Sequence, residues 1–304
     1  MKIVVTGGTG FVGKYVVNQL VSDGHRVTPI DVAAKDDRTK VDVTVKHEVK
    51  TALASLDPDV VIHLAALTGS IGKGGGAESL KFSYDYFRVN VTGSLNIFET
   101  CRELGIKKVL CMSSFSTYGI AKCPITEATP FNSNNPYGAS KVCVEEIAKI
   151  YAQCYGIKTV IFRAPLICGE SQKEMNALRE FVSCALQGKP IVILGEGSHV
   201  REFVHPQDVA RAYSLAIPYL NTMKSTFEVF VLGSKPISMK DLAGYIIAQV
   251  GNGTIEYKQF TNNVFDQFTD YSKARRLLYW APTKDIKDIV RRVIEDIKSQ
   301  NIKI

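Results

Sequence analysis

The chain has 304 residues, of which 45% are hydrophobic and 22% are charged, an ordinary globular composition. This length can bury one large core or two joined cores, which excludes the fibrous and disordered classes. No apolar run approaches the roughly 20 residues that a membrane-spanning helix needs. Because Met1 to Val5 lead directly into a strand-like segment rather than a secretory leader, we expect a cytosolic protein with no membrane partner.

Charge and cysteine spacing argue against nucleic-acid and metal partners. The formal net charge is +7, but the basic residues are interspersed with acidic ones and form no long basic run. The excess charge therefore favours anionic small molecules. The seven cysteines form no CxxC pair and the five histidines lack metal-ligand spacing, so we expect reduced, buried thiols and no metal site.

The first half of the chain alternates short apolar runs with segments of helical periodicity. This alternation predicts an α/β fold, a doubly wound parallel sheet with helices on both faces. Pro29 lies inside the second run, where it removes a hydrogen-bond donor and makes that strand less regular. The predicted strands are Lys2–Thr6, Arg26–Ile30, Val60–Leu64, Val109–Met112 and Thr159–Phe162.

After about Arg163 this rhythm breaks up between Gly and Pro residues. Helical periodicity returns at Met175–Gln187, Met239–Val250 and Ile286–Lys298. We expect residues 1–165 to form the sheet domain. Residues 166–304 should form mainly a smaller C-terminal lobe, interleaved with returning elements of the sheet.

A glycine-rich motif follows the first predicted strand and opens a helix: Gly7-Gly8-Thr9-Gly10-Phe11-Val12-Gly13. Glycines let the backbone turn sharply and approach a pyrophosphate, while the helix N-terminus offers free N–H groups. The pattern predicts a dinucleotide site; the alternative is a tight turn without a ligand. A nucleotide-triphosphate loop is rejected, because Tyr15 stands where a magnesium-binding hydroxyl is needed. The predicted contacts are Gly7, Gly10, Phe11, Val12 and Gly13.

Asp31 ends the second predicted strand, where a carboxylate accepts hydrogen bonds from the adenosine ribose and repels a 2′-phosphate. It therefore favours NAD over NADP. The alternative is a solvated turn residue, since Lys35 and Arg38 nearby are also able to serve a phosphate.

Tyr137 and Lys141 are four residues apart in a helical segment, so their side chains share one face. At about 4 Å and an effective dielectric near 20, the ammonium favours the phenolate by on the order of 4 kcal/mol, or about three pK units. We expect this pair to bring the pKa of Tyr137 towards neutrality, as a general base needs. The alternative is an ordinary amphipathic helix with an exposed lysine.

Taken together, these motifs resemble the extended short-chain dehydrogenase/reductase family, specifically its NAD-dependent sugar-nucleotide epimerase/dehydratase group. The resemblance runs from Met1 almost to the C-terminus. It rests on the glycine loop, Asp42-Val43, His63-Leu64-Ala65-Ala66, Asn90-Val91-Thr92-Gly93, Ser113-Ser114 before Tyr118-Gly119, Tyr137 with Lys141, Arg201-Glu202-Phe203-Val204-His205, and Asp270 to Ala274 before Trp280 and Pro282.

The resemblance implies a Rossmann fold, with residues 1–165 as the NAD-binding domain, and a role for each matching residue. Ser114, Tyr137 and Lys141 would be catalytic: Ser114 and Tyr137 hold the substrate hydroxyl, and Lys141 binds the nicotinamide ribose. Arg201 would hold the substrate diphosphate. The further cofactor contacts implied are Asp42, Val43, Leu64, Ala65, Ala66, Asn90 and Pro165.

These residues also have structural alternatives. Ser114 is able to cap a strand end, Asn90 to serve as a buried polar group of its helix, and Arg201 to pair with Glu202 or another acid.

The sequence also departs from the family pattern. Leu166 replaces an Asn that contacts the nucleotide sugar, and a second phosphate-binding arginine has no clear counterpart. Phe115 and Ser116 replace the Asp-Glu pair of the 4,6-dehydratases, so dehydration lacks its acid and base. The glycine-rich insert Gly69–Gly76 is expected to reshape the sugar pocket.

The resemblance therefore implies an NAD-dependent epimerase acting on a nucleotide sugar, at C4 of a UDP-hexose, through a transient 4-keto intermediate. One alternative is a net oxidoreductase, such as a keto-sugar reductase or a threonine-dehydrogenase-like enzyme. Another is a dinucleotide-sensing protein without chemistry. A homodimer is also implied, through the helices expected at Tyr86 to Leu104 and Asn135 to Tyr155.

Overall fold

The computed structural model describes residues 1–68, 83–259 and 264–301, so the insert Gly69–Gly76 lies outside the described residues. Its strands are β1 (Lys2–Thr6), β2 (Arg26–Ile30), β3 (Val60–His63), β4 (Lys108–Ser114), β5 (Lys158–Ala164), β6 (Leu166–Ile167), β7 (Ile191–Leu194), β8 (Val200–Arg201), β9 (Phe203–Val204), β10 (Phe227–Val231), β11 (Ile237–Ser238) and β12 (Ile255–Lys258).

The α-helices are α1 (Phe11–Ser22), α2 (Lys46–Leu56), α3 (Ser83–Tyr86), α4 (Gly93–Leu104), α5 (Pro136–Tyr155), α6 (Ala177–Leu186), α7 (Pro206–Thr222), α8 (Met239–Val250), α9 (Ser272–Leu277) and α10 (Ile286–Asn301). A π-helical turn, Phe87–Thr92, joins α3 to α4.

Six parallel strands form the central sheet in the order β10-β5-β4-β3-β1-β2. Successive side chains of a strand point to opposite faces, so Ile3 and Val5 pack with α1 and α7, while Val4 packs with α2 and α4. Both faces are covered by helices. The predicted Rossmann fold, a doubly wound parallel sheet, is confirmed.

Pro29 is tolerated because β2 is the edge strand of this sheet. It pairs with Val5 of β1, and beyond it Asp31 forms only an isolated bridge with Lys40. One side of an edge strand has no neighbouring strand that needs its N–H groups as hydrogen-bond donors, so the N–H that proline lacks has little effect. Arg26–Ile30 forms as predicted.

The strand order reverses between β1 and β3, which lie side by side although β2 separates them in sequence. In doubly wound sheets, ligands bind at the carboxyl ends of the strands at such a reversal. The glycine loop follows β1, and Leu64 follows β3. The topology therefore brings two of the predicted cofactor segments to one crevice.

A second core joins α6, α8, α10 and the short parallel pair β7 and β12. The predicted helix Met239–Val250 is confirmed, and the one predicted from Ile286 to Lys298 extends to Asn301. The helix predicted at Met175–Gln187 is Ala177–Leu186, because the Asn176 side chain caps it by accepting the Arg179 N–H at 3.0 Å.

Among strands, the predicted Val60–Leu64 ends at His63, while Val109–Met112 and Thr159–Phe162 extend at both ends, to Lys108–Ser114 and Lys158–Ala164. Across the three described ranges, the structure has no helix whose length and apolar character suit a bilayer crossing.

Candidate active site

The glycine loop between β1 and α1 makes the tight turn that its sequence predicts. Gly7 has φ +67°, and its carbonyl accepts the N–H of Gly10, the N-cap of α1, at 3.0 Å. A β-carbon on Gly7 would lie 2.7 Å from the backbone nitrogen of Ala65, and one on Gly13 would lie 2.1 Å from the Gly7 carbonyl oxygen. Only glycines fit at these two positions, and no side chain of the described residues caps the helix N-terminus, which suits an anion.

The predicted ribose contact, Asp31, lies beside this loop. Asp31 follows β2, where its Oδ2 accepts the Thr9 N–H at 3.2 Å and its Oδ1 accepts the Ala33 N–H at 3.0 Å. A carboxylate offers about four lone-pair sites, so Asp31 still has acceptors for ribose hydroxyls. Asp42 is half-buried, and Val43 is buried in the core.

Ser114 and the Tyr137–Lys141 pair meet where β4 ends and α5 begins. Ser114 closes β4, and its Oγ accepts the Ser116 N–H at 3.1 Å, so the predicted capping alternative is also realised. Asn135 caps α5 by accepting the backbone N–H three residues on at 2.9 Å. This cap fixes the first turn of the helix, which carries Tyr137.

The environment of Tyr137 differs from the predicted one. Burial raises the pKa of Tyr137 to about 12, the Ser114 hydroxyl lowers it in part, and Tyr86, with ring centroids 5.7 Å apart, raises it further. Lys141 donates instead to the Met112 carbonyl at 3.0 Å, and burial lowers its own pKa to about 8. The prediction that the Lys141 charge alone brings Tyr137 towards neutrality is wrong, because burial of the phenol dominates.

The model of the NAD-dependent epimerase/dehydratase family matches residues 3–233, about three quarters of the chain. The chain belongs to this family. UDP-glucose 4-epimerase of Streptococcus mutans is 33% identical over 248 residues, covering 72% of this chain and 73% of that one.

Two solved structures also match this chain. The UDP-glucose 4-epimerase of Thermotoga maritima with UDP-glucose superimposes with a TM-score of 0.85 at 24% identity, covering 99% of this chain and 100% of that one. The UDP-glucuronic acid 4-epimerase of Bacillus cereus, in complex with UDP-glucuronic acid and NAD, has a TM-score of 0.84 at 25% identity, with the same coverage.

In this member of the epimerase/dehydratase family, the segments predicted to line the cofactor lie at the carboxyl edge of the sheet. Leu64, Ala65 and Ala66 are half-buried after β3, and Pro165 is half-buried after β5. Asn90 is 1% exposed and lies in the π-helical turn. Its buried position realises the structural alternative, and its direct contact with a cofactor stays a prediction.

Arg201, the predicted diphosphate ligand, is half-buried on β8. Its Nη1 donates to the carbonyls of Val200, at 2.9 Å, and Phe265, and its guanidinium lies 5.2 Å from the Phe265 ring centre. Within the described part of the chain it forms no ion pair with Glu202, so that alternative is not realised there. Nor do the described residues bring together three or more His, Cys, Asp or Glu in a metal-holding group.

The departures from the family pattern also have structural positions. Phe115, 3% exposed, packs on Tyr118 with ring centroids 5.9 Å apart, and so belongs to a small hydrophobic cluster. Ser116 is half-buried, with its Oγ 3.3 Å from that of Ser114. Leu166 is 37% exposed. A second hydroxyl thus stands beside Ser114 at the position where dehydratases carry a carboxylate.

A buried ion pair between β5 and α5 lies beside the end of β4, and no motif of the sequence pointed to it. Arg163 of β5 donates from Nη2 to Oε2 of Glu145 in α5 at 2.7 Å, and the side chains are only 6% and 2% exposed. The Ser113 hydroxyl also donates to Glu145. The Ser113 hydrogen bond ties β4, which carries Ser114, to α5, which carries Tyr137, and the ion pair ties β5 to the same helix. The available signal was one charged residue, Arg163, inside the otherwise apolar end of its strand.

Proposed function

We propose that the chain is an NAD-dependent nucleotide-sugar epimerase that acts at C4 of a UDP-hexose. The observation that carries the proposal is the meeting of Ser114 with the Tyr137–Lys141 helix face at the same sheet edge as the glycine loop. A hydroxyl, a phenol and an ammonium beside a dinucleotide crevice are the groups that reversible oxidation of a sugar alcohol requires.

NAD would bind in the crevice at the carboxyl ends of β1 and β3. The glycine loop, where added β-carbons would clash, would receive the pyrophosphate at the N-terminus of α1. Asp31 would bind the adenosine ribose and Asp42 and Val43 the adenine. Leu64–Ala66 would line the cofactor, and Pro165 would touch its nicotinamide side. When bound, NAD supplies the hydride acceptor and later the hydride donor.

The protein groups would then handle the proton and hold the sugar. Tyr137, once deprotonated, would take the proton of the C4 hydroxyl and return it after inversion, while Ser114 donates a hydrogen bond to the same oxygen. With its pKa raised to about 12, Tyr137 is a neutral phenol in this structure, so the role requires it to lose its proton when the site is filled. Lys141, with its pKa at about 8, is mostly cationic at neutral pH and favours the phenolate when it lies close by. Inversion requires the 4-keto sugar to present its other face before reduction.

Arg201 would hold the diphosphate of the substrate. Within the described residues only its Nη1 is engaged, with two backbone carbonyls, so the other guanidinium donors remain for phosphate oxygens. Relatives named as acting on UDP-glucose and UDP-glucuronate support a UDP-hexose as the substrate class.

We also propose a cytosolic homodimer. All seven cysteines are free thiols, as expected for a reducing compartment. The helices α4 and α5 pack together and expose Leu95, Ile150 and Tyr155, whose side chains would be covered by a second copy. Sedimentation of the purified protein at micromolar concentration should give twice the chain mass.

The test of the proposed function is incubation with UDP-glucose, UDP-galactose and UDP-glucuronate, with products separated by stereochemistry and NADH followed by absorbance. We expect interconversion of C4 epimers without net NADH. The Tyr137→Phe variant should lose about a hundredfold or more in turnover while its NAD affinity changes little. Net NADH formation would indicate an oxidoreductase, and NAD binding without turnover would indicate a sensing protein.

A further inference from the structure

His63, the last residue of β3, lies in a buried chain of hydrogen bonds. The Thr6 hydroxyl lies 2.8 Å from its Nδ1, and the Ser94 hydroxyl lies 3.0 Å from its Nε2. The Ala65 N–H donates to the Thr6 oxygen at 3.1 Å, and Ser94 donates its only hydroxyl proton to the Asn90 carbonyl at 2.5 Å. His63 itself is 4% exposed.

These partners fix the direction of the chain and the tautomer of the imidazole. A carbonyl accepts only, so Ser94 must accept from His63, and Nε2 carries the hydrogen. Nδ1 then accepts from Thr6. Burial, together with the nearby charge of Lys141, lowers the pKa of His63 to about 3, so the ring is neutral at physiological pH. Both ring nitrogens are satisfied in this single arrangement.

This series of hydrogen bonds ends at Asn90, which lies in the π-helical turn Phe87–Thr92. The Asn90 side chain accepts the Leu67 N–H at 2.8 Å, donates to the Leu67 carbonyl at 3.1 Å, and donates to Ser140 Oγ at 2.9 Å. Ser140 in turn donates to the Tyr137 carbonyl at 2.7 Å. Asn90 therefore joins the segment after β3 to the first turn of α5.

A π-helical turn is rare and occurs frequently at functional sites. Here it directs Asn90 towards Leu67 and Ser140. The Ser94 hydroxyl binds the Asn90 carbonyl within this turn, and His63 holds that hydroxyl in place. A histidine with a purely structural role in the core would need only hydrogen-bond partners for its two ring nitrogens. The partners of His63 also connect β1, through Asn90 and Ser140, to the backbone of Tyr137.

We propose that His63 is a positioning residue for Tyr137. It holds Ser94, and through it the π-helical turn and Asn90, so that α5 presents the phenol at a fixed distance from Ser114. This inference rests on the proposed function for its turnover assay, but not for its structural assay.

The variants distinguish the effect of the His63 hydrogen bonds from the effect of its side-chain volume. His63→Leu removes both hydrogen bonds at similar size, His63→Gln keeps an amide that can donate and accept, and Ser94→Ala removes the next link. Thr100→Val is the matched control on α4, because the Thr100 hydroxyl is buried and has no hydrogen-bond partner among the described residues.

With NAD bound and a UDP-hexose as substrate, His63→Leu and Ser94→Ala should lower kcat per folded molecule about tenfold, with KM within about twofold. His63→Gln should recover most of the loss, and Thr100→Val should match the wild type. Adding Asn90→Ala to His63→Leu should cost no more than the larger single effect, since both act through one chain.

Amide hydrogen exchange of the NAD-bound protein provides the second readout. Residues 87–96 and 137–141 should exchange at least about fivefold faster in His63→Leu and Ser94→Ala than in Thr100→Val. If the wild type turns over no sugar, the proposed function fails, while exchange still decides the positioning role. Should His63→Leu not fold, Ser94→Ala carries both assays. Unchanged kcat per folded molecule, or unchanged exchange in residues 137–141, would overturn the inference.

Discussion

Glu202 offers a quantitative test of how this fold buries charge. It lies between β8 and β9 and is 1% exposed; its Oε2 accepts the Thr269 hydroxyl at 2.9 Å, and its Oε1 has no hydrogen-bond partner among the described residues. Burial raises the pKa of Glu202 to about 7, against partial lowering by hydrogen bonds from Thr269 and Ser234. A buried carboxyl in this position binds a proton more tightly than the unfolded chain does.

The sign and size of the effect follow from linkage. Between pH 4.5, the usual pKa of the group, and about pH 7, the unfolded chain has lost a proton that the folded protein keeps. The free energy of unfolding therefore falls as pH rises through this window and levels off above it. The full difference is about 3.5 kcal/mol, from about 2.5 pK units at about 1.4 kcal/mol each.

Glu202→Gln removes the titration while keeping the shape. We expect urea unfolding at pH 5, 6, 7 and 8 to show the wild type losing up to about 3 kcal/mol relative to Glu202→Gln across this series. A constant offset between the two proteins does not matter, since the slope is measured. Glu196→Gln, at an exposed position of the preceding loop, controls for removal of a charge. Parallel pH profiles for wild type and Glu202→Gln would refute the reasoning.

Two other predictions, each with a control variant, concern the cofactor site at Asp31 and the backbone at Tyr279. The wild type should bind NAD at least about tenfold more tightly than NADP, a difference of about 1.4 kcal/mol. Titration of Asp31→Ala should show a smaller preference for NAD, while Asp37→Ala, a change at an exposed position, should retain the full preference. Equal affinities in the wild type would contradict the role of Asp31. Tyr279 has φ +54° and is 86% exposed, so Tyr279→Gly should stabilise the protein by about 1 kcal/mol in thermal unfolding, whereas Tyr279→Ala keeps the strain. A glycine variant no more stable than the alanine variant would count against a strained backbone.

The elements predicted best are those specified by local pattern. The strand from Lys2 to Thr6 and the helix from Met239 to Val250 form as predicted, since apolar period and caps are encoded within each segment. The meeting of Ser114 with Tyr137 was predicted only through the family resemblance. Hydrophobic periodicity assigns Ser114 to a strand and Tyr137 to a helix, but it does not predict that the two residues lie close together.

The features that the sequence did not predict depend on distant contacts. The hydrogen bonds around His63 join residues up to 59 positions apart, and nothing in the local sequence marks the extra residue of the π-helical turn. The pKa of Tyr137 was misjudged because a Coulomb estimate for one pair leaves out desolvation, which the tertiary fold sets. The position of Glu202, buried and not paired with Arg201 in the described residues, likewise depends on Thr269 from a remote segment.

The central claim is that this protein removes and returns the same hydride. A UDP-hexose labelled with deuterium at C4 tests it directly, by mass spectrometry of the epimer together with NADH absorbance. We predict that the C4 epimer retains the deuterium at full occupancy and that NADH does not accumulate. Transfer of the label to released cofactor, with NADH formed in proportion to product, would contradict the claim.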